Sequence, residues 1–190
     1  MGNILDELSQ YARVRVKQDK KKMSLRRLKE ETDKLMSGGA SRESFKFENT
    51  LKKEGLSFIC EVKKASPSKG IIDPEFRYLD IAREYEAAGA DCISCLTEPK
   101  WFLGSDDIFR DIRAAVNTPM IRKDFTVDEY QIYQAKLMGA DAVLLICALL
   151  NEAELKKYLR ICDELGLSAL TETHDEEELK KAVSCGARLI

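Results

Sequence analysis

Four side chains in this sequence have the types and places for acid–base chemistry: Glu61, Lys63, Lys123 and Glu172. Glu61 and Lys63 stand two residues apart at the end of an apolar run, in Glu61-Val62-Lys63-Lys64-Ala65-Ser66-Pro67-Ser68-Lys69-Gly70. Side chains alternate along a strand, so the two share one face. Buried side by side, a carboxylate and an ammonium keep each other charged at neutral pH, which lets one orient a substrate while the other polarises it. An isolated Glu-x-Lys is more often a surface ion pair of little worth. Here two further apolar runs end in the same chemistry: Ile121-Arg122-Lys123-Asp124-Phe125 and Leu170-Thr171-Glu172-Thr173-His174. Two lysines and two carboxylates at strand ends suit proton transfer on a carbonyl or hydroxyl, with lysine as donor and glutamate as acceptor and with no metal required.

Length and charge narrow the class. A chain of 190 residues with a net charge of -2 is expected to form one globular domain. It has no basic excess for a nucleic acid. The longest apolar run, Ala142 to Leu150, is too short to span a bilayer. Met1 to Asp6 carries no leader pattern, and Asp6 stands where a myristoylation signal wants Ser or Thr, so a cytoplasmic location is expected. The 6 cysteines then read as reduced thiols. Cys92 and Cys95 have the C-x-x-C spacing but lie in a strand-like run, where residues three apart face opposite sides, so they read as packing residues. The single histidine, His174, has no partner for a metal and reads as a solvated residue near a helix start. No cofactor is expected.

The elements that must position these groups follow a regular beat. Ile4 to Met36 is charged with apolar residues at helical spacing (Leu5, Leu8, Tyr11, Val14, then Leu25, Leu28, Leu35), and Gly38-Gly39 breaks it, which predicts one or two amphipathic helices. Then six β-rich runs, Phe58–Val62, Cys92–Leu96, Met120–Arg122, Ala142–Cys147, Ser168–Thr171 and Arg188–Ile190, alternate with five helical segments. Gly89, Gly139 and Gly186 sit where each can end a helix in the left-handed conformation. Asn151 with Glu154, and Thr173 with Glu176, have the spacing of helix-start caps. Apolar strands alternating with helices demand a parallel sheet covered by helices, either open and doubly wound or closed. A repeat of roughly 20–35 residues fits a (β/α)₈ barrel. The expected fold is therefore an α/β barrel with an N-terminal helical extension over residues 1–50 and the first six strands of the barrel over 51–190. Such barrels carry reactive groups at the C-terminal ends of their strands, where all four charged residues fall. The loop Leu96 to Ser105 should set two aromatics, Trp101 and Phe102, over the same mouth.

Taken together, Glu61–Gly70, Leu96–Ser105, Arg122–Phe125, Asp141–Leu150 and Leu170–Glu172 resemble the indole-3-glycerol phosphate synthase family of tryptophan biosynthesis, in order and spacing, over nearly the whole chain. The resemblance implies ring closure of 1-(2-carboxyphenylamino)-1-deoxyribulose 5-phosphate with loss of carbon dioxide and water. It implies Lys123 as general acid, Glu172 as base, Lys63 as carboxylate binder or second proton carrier, and Glu61 as the group that orients the lysines. Ser66, Leu96, Phe102, Phe125 and Leu144 would shape the pocket. The partner would be a small phosphorylated substrate, with other tryptophan-pathway enzymes or a complementing C-terminal segment as protein partners. A whole barrel takes about 250 residues, and the family's later turns and phosphate loops are not in these 190 residues. The expectation is an acid–base set with little phosphate grip; the alternative is a non-catalytic barrel remnant that binds or scaffolds.

Overall fold

The computed structural model describes residues 4–39 and 41–190; Met1, Gly2 and Asn3, on which the leader reading partly rests, lie outside the described residues. Three helices come first: α1 (Ile4–Lys22), α2 (Leu25–Ser37) and α3 (Lys46–Leu51). The Ser24 hydroxyl accepts from the Arg27 backbone and starts α2. Leu8, Ala12 and Val16 recur every fourth residue, so they form one buried stripe on α1. Val14, expected among the apolar contacts, falls off that stripe and is 51% exposed.

The parallel sheet runs β1 (Ile59–Val62), β4 (Cys92–Leu96), β5 (Met120–Lys123), β6 (Ala142–Ile146) and β7 (Ser168–Glu172), in that spatial order. Helices α4 (Tyr78–Ala87), α5 (Asp106–Ala115), α6 (Glu129–Leu137), α7 (Glu152–Glu164) and α8 (Glu176–Ser184) separate the runs as expected. The Ser-Pro-Gly stretch after β1 forms a small antiparallel hairpin, β2 (Ala65–Ser66) with β3 (Gly70–Ile71). Several strand bounds need correction: β1 begins at Ile59, not Phe58, β5 and β7 run on to Lys123 and Glu172, and β6 ends at Ile146 because Cys147–Leu149 turn into a 3₁₀ helix. The run Arg188–Ile190 makes a single parallel bridge, Leu189 to Leu170, instead of a strand. With one ladder position paired, that run has no room to repeat the pattern.

Gly89, Gly139 and Gly186 adopt φ of +84°, +79° and +89°, the left-handed turn that lets each helix reverse into the next sheet position. Asn151 and Glu154 form a reciprocal capping box on α7. On α8 the cap is Asp175, whose side chain accepts from the Glu178 backbone, and not Thr173. Asp175 and Glu178 repeat the same three-residue spacing two positions later, and the carboxylate there is the better acceptor.

Alternation across the strands makes two cores. Cys92, Ile121, Ala142, Leu144 and Ile146 form an inner cluster with Phe47 of α3, which is wholly buried beneath them. The other face packs Ile93, Cys95, Val143 and Leu145 against the helices. Cys92 and Cys95 thus do point to opposite sides of the sheet. Register carries the inner face upward: Glu61 lies beside Ser94, Leu96 beside Lys123, Leu144 beside Leu170 and Ile146 beside Glu172. Apolar residues fill the lower inner layers and ionisable ones top them.

Candidate active site at the strand ends

A cavity of about 200 Å³ opens at the C-terminal ends of the strands, lined by Glu61, Lys63, Leu96, Phe102, Lys123, Phe125, Leu144 and Glu172, together with Leu5, Asp124 and Ile146. Sequence reasoning missed the last three. Ile146 could have been found by continuing the alternation of β6 past Leu144. Leu5 reaches the pocket from α1, which no local pattern signals. Ser66 is not in the lining: it sits in the β2–β3 hairpin, where its hydroxyl accepts from the Lys69 backbone at 3.3 Å. Trp101 also turns away from the mouth and packs edge-on against Tyr11 of α1, with ring centres 5.5 Å apart. Phe102 faces Phe125 across the pocket at 6.1 Å.

The four charged groups form two unlike pairs. Lys63 Nζ donates to Glu61 Oε1 at 2.6 Å, and the Ser94 hydroxyl donates to Glu61 Oε2 at 3.1 Å. Lys123 Nζ lies 3.7 Å from Glu172 Oε2, an ion pair beyond hydrogen-bond length. Side-chain exposures of 30% to 33% make all four half-buried, where full burial was the expectation for Glu61 and Lys63. Water screens such groups enough for both signs to coexist, while the walls keep them close. His174 is 58% exposed, as its position near a helix start suggests, yet its Nε2 lies 3.3 Å from Glu172 Oε1.

Beneath the pocket, Asp124 is buried. Burial by itself would push its carboxyl up, but the charge and hydrogen bonds of the Arg15 guanidinium outweigh this and hold it below the usual carboxylate range. The carboxylate of Glu98, wholly buried, accepts from the backbones of Lys100, Trp101 and Phe102 at 2.9, 2.7 and 3.0 Å and so fixes the turn that presents Phe102. Burial pushes the thiols of Cys92 and Cys95 up to about 12, where neither is a thiolate at neutral pH. Among the described residues, no group of three or more His, Cys, Asp or Glu is placed to share a metal, and no helix is long and apolar enough to cross a membrane.

A parallel sheet with apolar lower layers and paired lysines and glutamates at its C-terminal rim has the layout of a (β/α)-barrel enzyme. Two solved structures share this architecture and show the fold alone. They are N-acetylmannosamine-6-phosphate 2-epimerase from Clostridium perfringens (TM-score 0.52, 14% identity, 72% of this chain and 60% of that one) and the tryptophan synthase alpha chain from Legionella pneumophila (0.50, 16%, 76% and 64%). The family model for indole-3-glycerol phosphate synthase matches residues 5–190. The indole-3-glycerol phosphate synthase of Ruminiclostridium cellulolyticum is 52% identical over 98% of this chain and 70% of its own length. That of Lachnoclostridium phytofermentans is 46% identical over 98% and 72%. The chain belongs to the indole-3-glycerol phosphate synthase family, and it spans about 70% of the length of these relatives.

Proposed function

We propose that the strand-end pocket closes the indole ring of indole-3-glycerol phosphate from 1-(2-carboxyphenylamino)-1-deoxyribulose 5-phosphate, releasing carbon dioxide and water, a carboxy-lyase step of tryptophan biosynthesis. The contrast between the two ion pairs carries the reading. At 2.6 Å from Glu61, Lys63 is committed as a fixed positive charge, suited to hold the carboxylate of the substrate. At 3.7 Å from Glu172, the Lys123 ammonium keeps its protons available to an incoming carbonyl oxygen. Lys123 then donates as the carbon–carbon bond forms, and carbon dioxide leaves with the electrons of its bond returned to the ring; in the dehydration Glu172 accepts the proton lost from the substrate while the new hydroxyl takes a proton from a lysine of the site and leaves as water. Glu61 keeps Lys63 in place, and Leu96, Phe102, Phe125 and Leu144 clasp the flat ring and exclude water.

The reading places the reaction in the cytoplasm, in keeping with 6 cysteines free of disulfides, beside the other enzymes of the pathway. It also gives the chain a partner segment that supplies further strand–helix units. Phe58 and Ile59 at the β1 edge are 60% and 41% exposed, and Leu179 and Val183 on α8 are 61% or less but still 43% or more exposed, so both sides of the sheet offer unpaired apolar surface. Indole-ring fluorescence tests this directly, with the 190 residues alone and mixed with the C-terminal third of the Ruminiclostridium cellulolyticum relative. Turnover is expected in the mixture only. Fast turnover by the 190 residues alone would remove the partner segment from the account, and an inactive mixture that has folded together would remove the ring closure.

A further inference from the structure

Arg15 lies well inside α1, yet its guanidinium makes a two-pronged bond to Asp124, Nη1 to Oδ2 at 3.0 Å and Nη2 to Oδ1 at 2.6 Å. Such a bond fixes orientation as well as distance. Asp124 directly follows Lys123, and its side chain is only 2% exposed. The same carboxylate accepts from the Thr97 hydroxyl at 2.8 Å, and Thr97 directly follows Leu96. One buried carboxylate therefore ties the ends of β4 and β5 to the N-terminal helix. That helix also brings Leu5 into the pocket wall and Tyr11 against Trp101, whose neighbour Phe102 lines the pocket. A buried charge pair is a costly way to dock a helix, since an apolar contact holds as well without the desolvation. What it adds is a single fixed geometry.

We infer that Arg15 and Asp124 are positioning residues: their pair seats α1 on the ends of β4 and β5 so that Lys123 keeps its aim and Leu5 closes the pocket. The part that concerns Lys123 rests on the proposed ring closure; the seating of α1 is read without substrate. Trp101 is the single tryptophan, so its emission reports that seat. Arg15→Ala shifts the emission to the red and makes it easier to quench with acrylamide. Asp124→Asn, which keeps the shape and drops the charge, shifts it in the same direction, and Arg15→Lys, with the charge but one prong, recovers part of the native signal. Lys20→Ala, which removes the half-buried pair between Lys20 on the same helix and Asp128 at the start of α6, leaves the emission where it was. In the active mixture Arg15→Ala lowers kcat by up to roughly 10²-fold, the cost of an ångström-scale misplacement, and Arg15→Lys regains most of it.

Native emission in both Arg15→Ala and Asp124→Asn, with circular dichroism intact, overturns the inference. So does an equal shift in Lys20→Ala, which would mean that any loosening of α1 gives the signal. If Arg15→Ala does not fold, Arg15→Lys and Asp124→Asn decide the matter. An unmutated mixture without turnover counts against the ring closure, while the emission of the variants still settles the seating of α1.

Discussion

The two ends of the same five strands treat charge in opposite ways. At the N-terminal ends Asp141 is fully committed: its side chain is 0% exposed and accepts from Arg42 Nε at 2.7 Å, Arg113 Nη1 at 3.1 Å and the Met120 backbone at 2.8 Å. Burial first, and the neighbouring Arg42 charge second, push the Arg113 guanidinium down to about 10. Glu86 beside it is likewise occupied, by both backbone and hydroxyl of Thr118 and the backbone of Asn117. At the C-terminal ends Lys123 and Glu172 stand 3.7 Å apart, each about a third exposed, on a cavity. A carboxylate that accepts three hydrogen bonds from fixed partners holds structure together. One with spare capacity beside a hollow can exchange protons.

Substitutions at the two ends can break this contrast. The largest effect is expected for Glu172→Gln, which keeps size and fold but cannot accept a proton: turnover in the active mixture should fall by roughly 10²–10⁴, the usual worth of one positioned acid–base group. Steady-state rates at matched folded concentration check it, and a loss below tenfold would return Glu172 to the ranks of solvated strand-end charges. Next comes Asp141→Ala at the opposite end. It leaves two guanidinium groups short of their counter-charge and should cost about 3–5 kcal/mol of stability, the penalty for breaking a buried pair, while turnover per folded molecule stays the same. Denaturant unfolding measures the first part, and a large drop in kcat of the folded protein would erase the distinction between the ends.

A smaller effect concerns acid. Arg15 holds the Asp124 carboxyl below the ordinary carboxylate range against the opposing pull of burial. A depressed carboxyl contributes stability that is present above its unfolded value, roughly 3.9 for aspartate, and is lost as pH falls from there through the folded value. Asp124→Asn should therefore flatten the acid limb of the stability curve and leave its shape near neutrality alone; an unchanged acid limb would contradict the assignment. The smallest effect is expected for Cys92→Ala and Cys95→Ala. Each truncates a small buried group, so stability should drop by a few kcal/mol at most and chemistry should be untouched. With thiols pushed up to about 12 and buried, alkylation of the native protein should be slow and should speed up only on unfolding.

What the sequence disclosed follows from how locally each feature is encoded. The five strands of the parallel sheet, the glycine turns and the capping box at Asn151 depend on residues within a few positions of one another, and they are placed correctly apart from their ends, whereas the run Arg188–Ile190 forms one bridge and no strand. The face shared by Glu61 and Lys63 follows from alternation along a strand, and the meeting of Lys123 with Glu172 follows from both standing at C-terminal strand ends of a barrel. The arrival of Leu5 at the pocket and the bond from Arg15 to Asp124, 109 residues away, join distant segments, and no periodicity marks them. An aromatic pair after a strand looks uniform in sequence, which points both Trp101 and Phe102 at the mouth; the wholly buried Glu98 decides that Phe102 faces in while Trp101 meets Tyr11. At the start of α8, Thr173 and Asp175 both fit the cap pattern, and the carboxylate of Asp175, the better acceptor, takes the Glu178 backbone.

The central claim is that the strand-end lysine on β5 supplies the proton for ring closure. It is tested most directly by comparing Lys123→Ala and Lys123→Arg with the parent chain, each mixed with the same complementing segment, by following indole fluorescence under single-turnover conditions with circular dichroism as the control for folding. The account predicts that Lys123→Ala forms the indole ring roughly 10²–10⁴ times more slowly, and that Lys123→Arg recovers little because a guanidinium gives up no proton near neutrality. Ring formation by folded Lys123→Ala at the parental rate would contradict it.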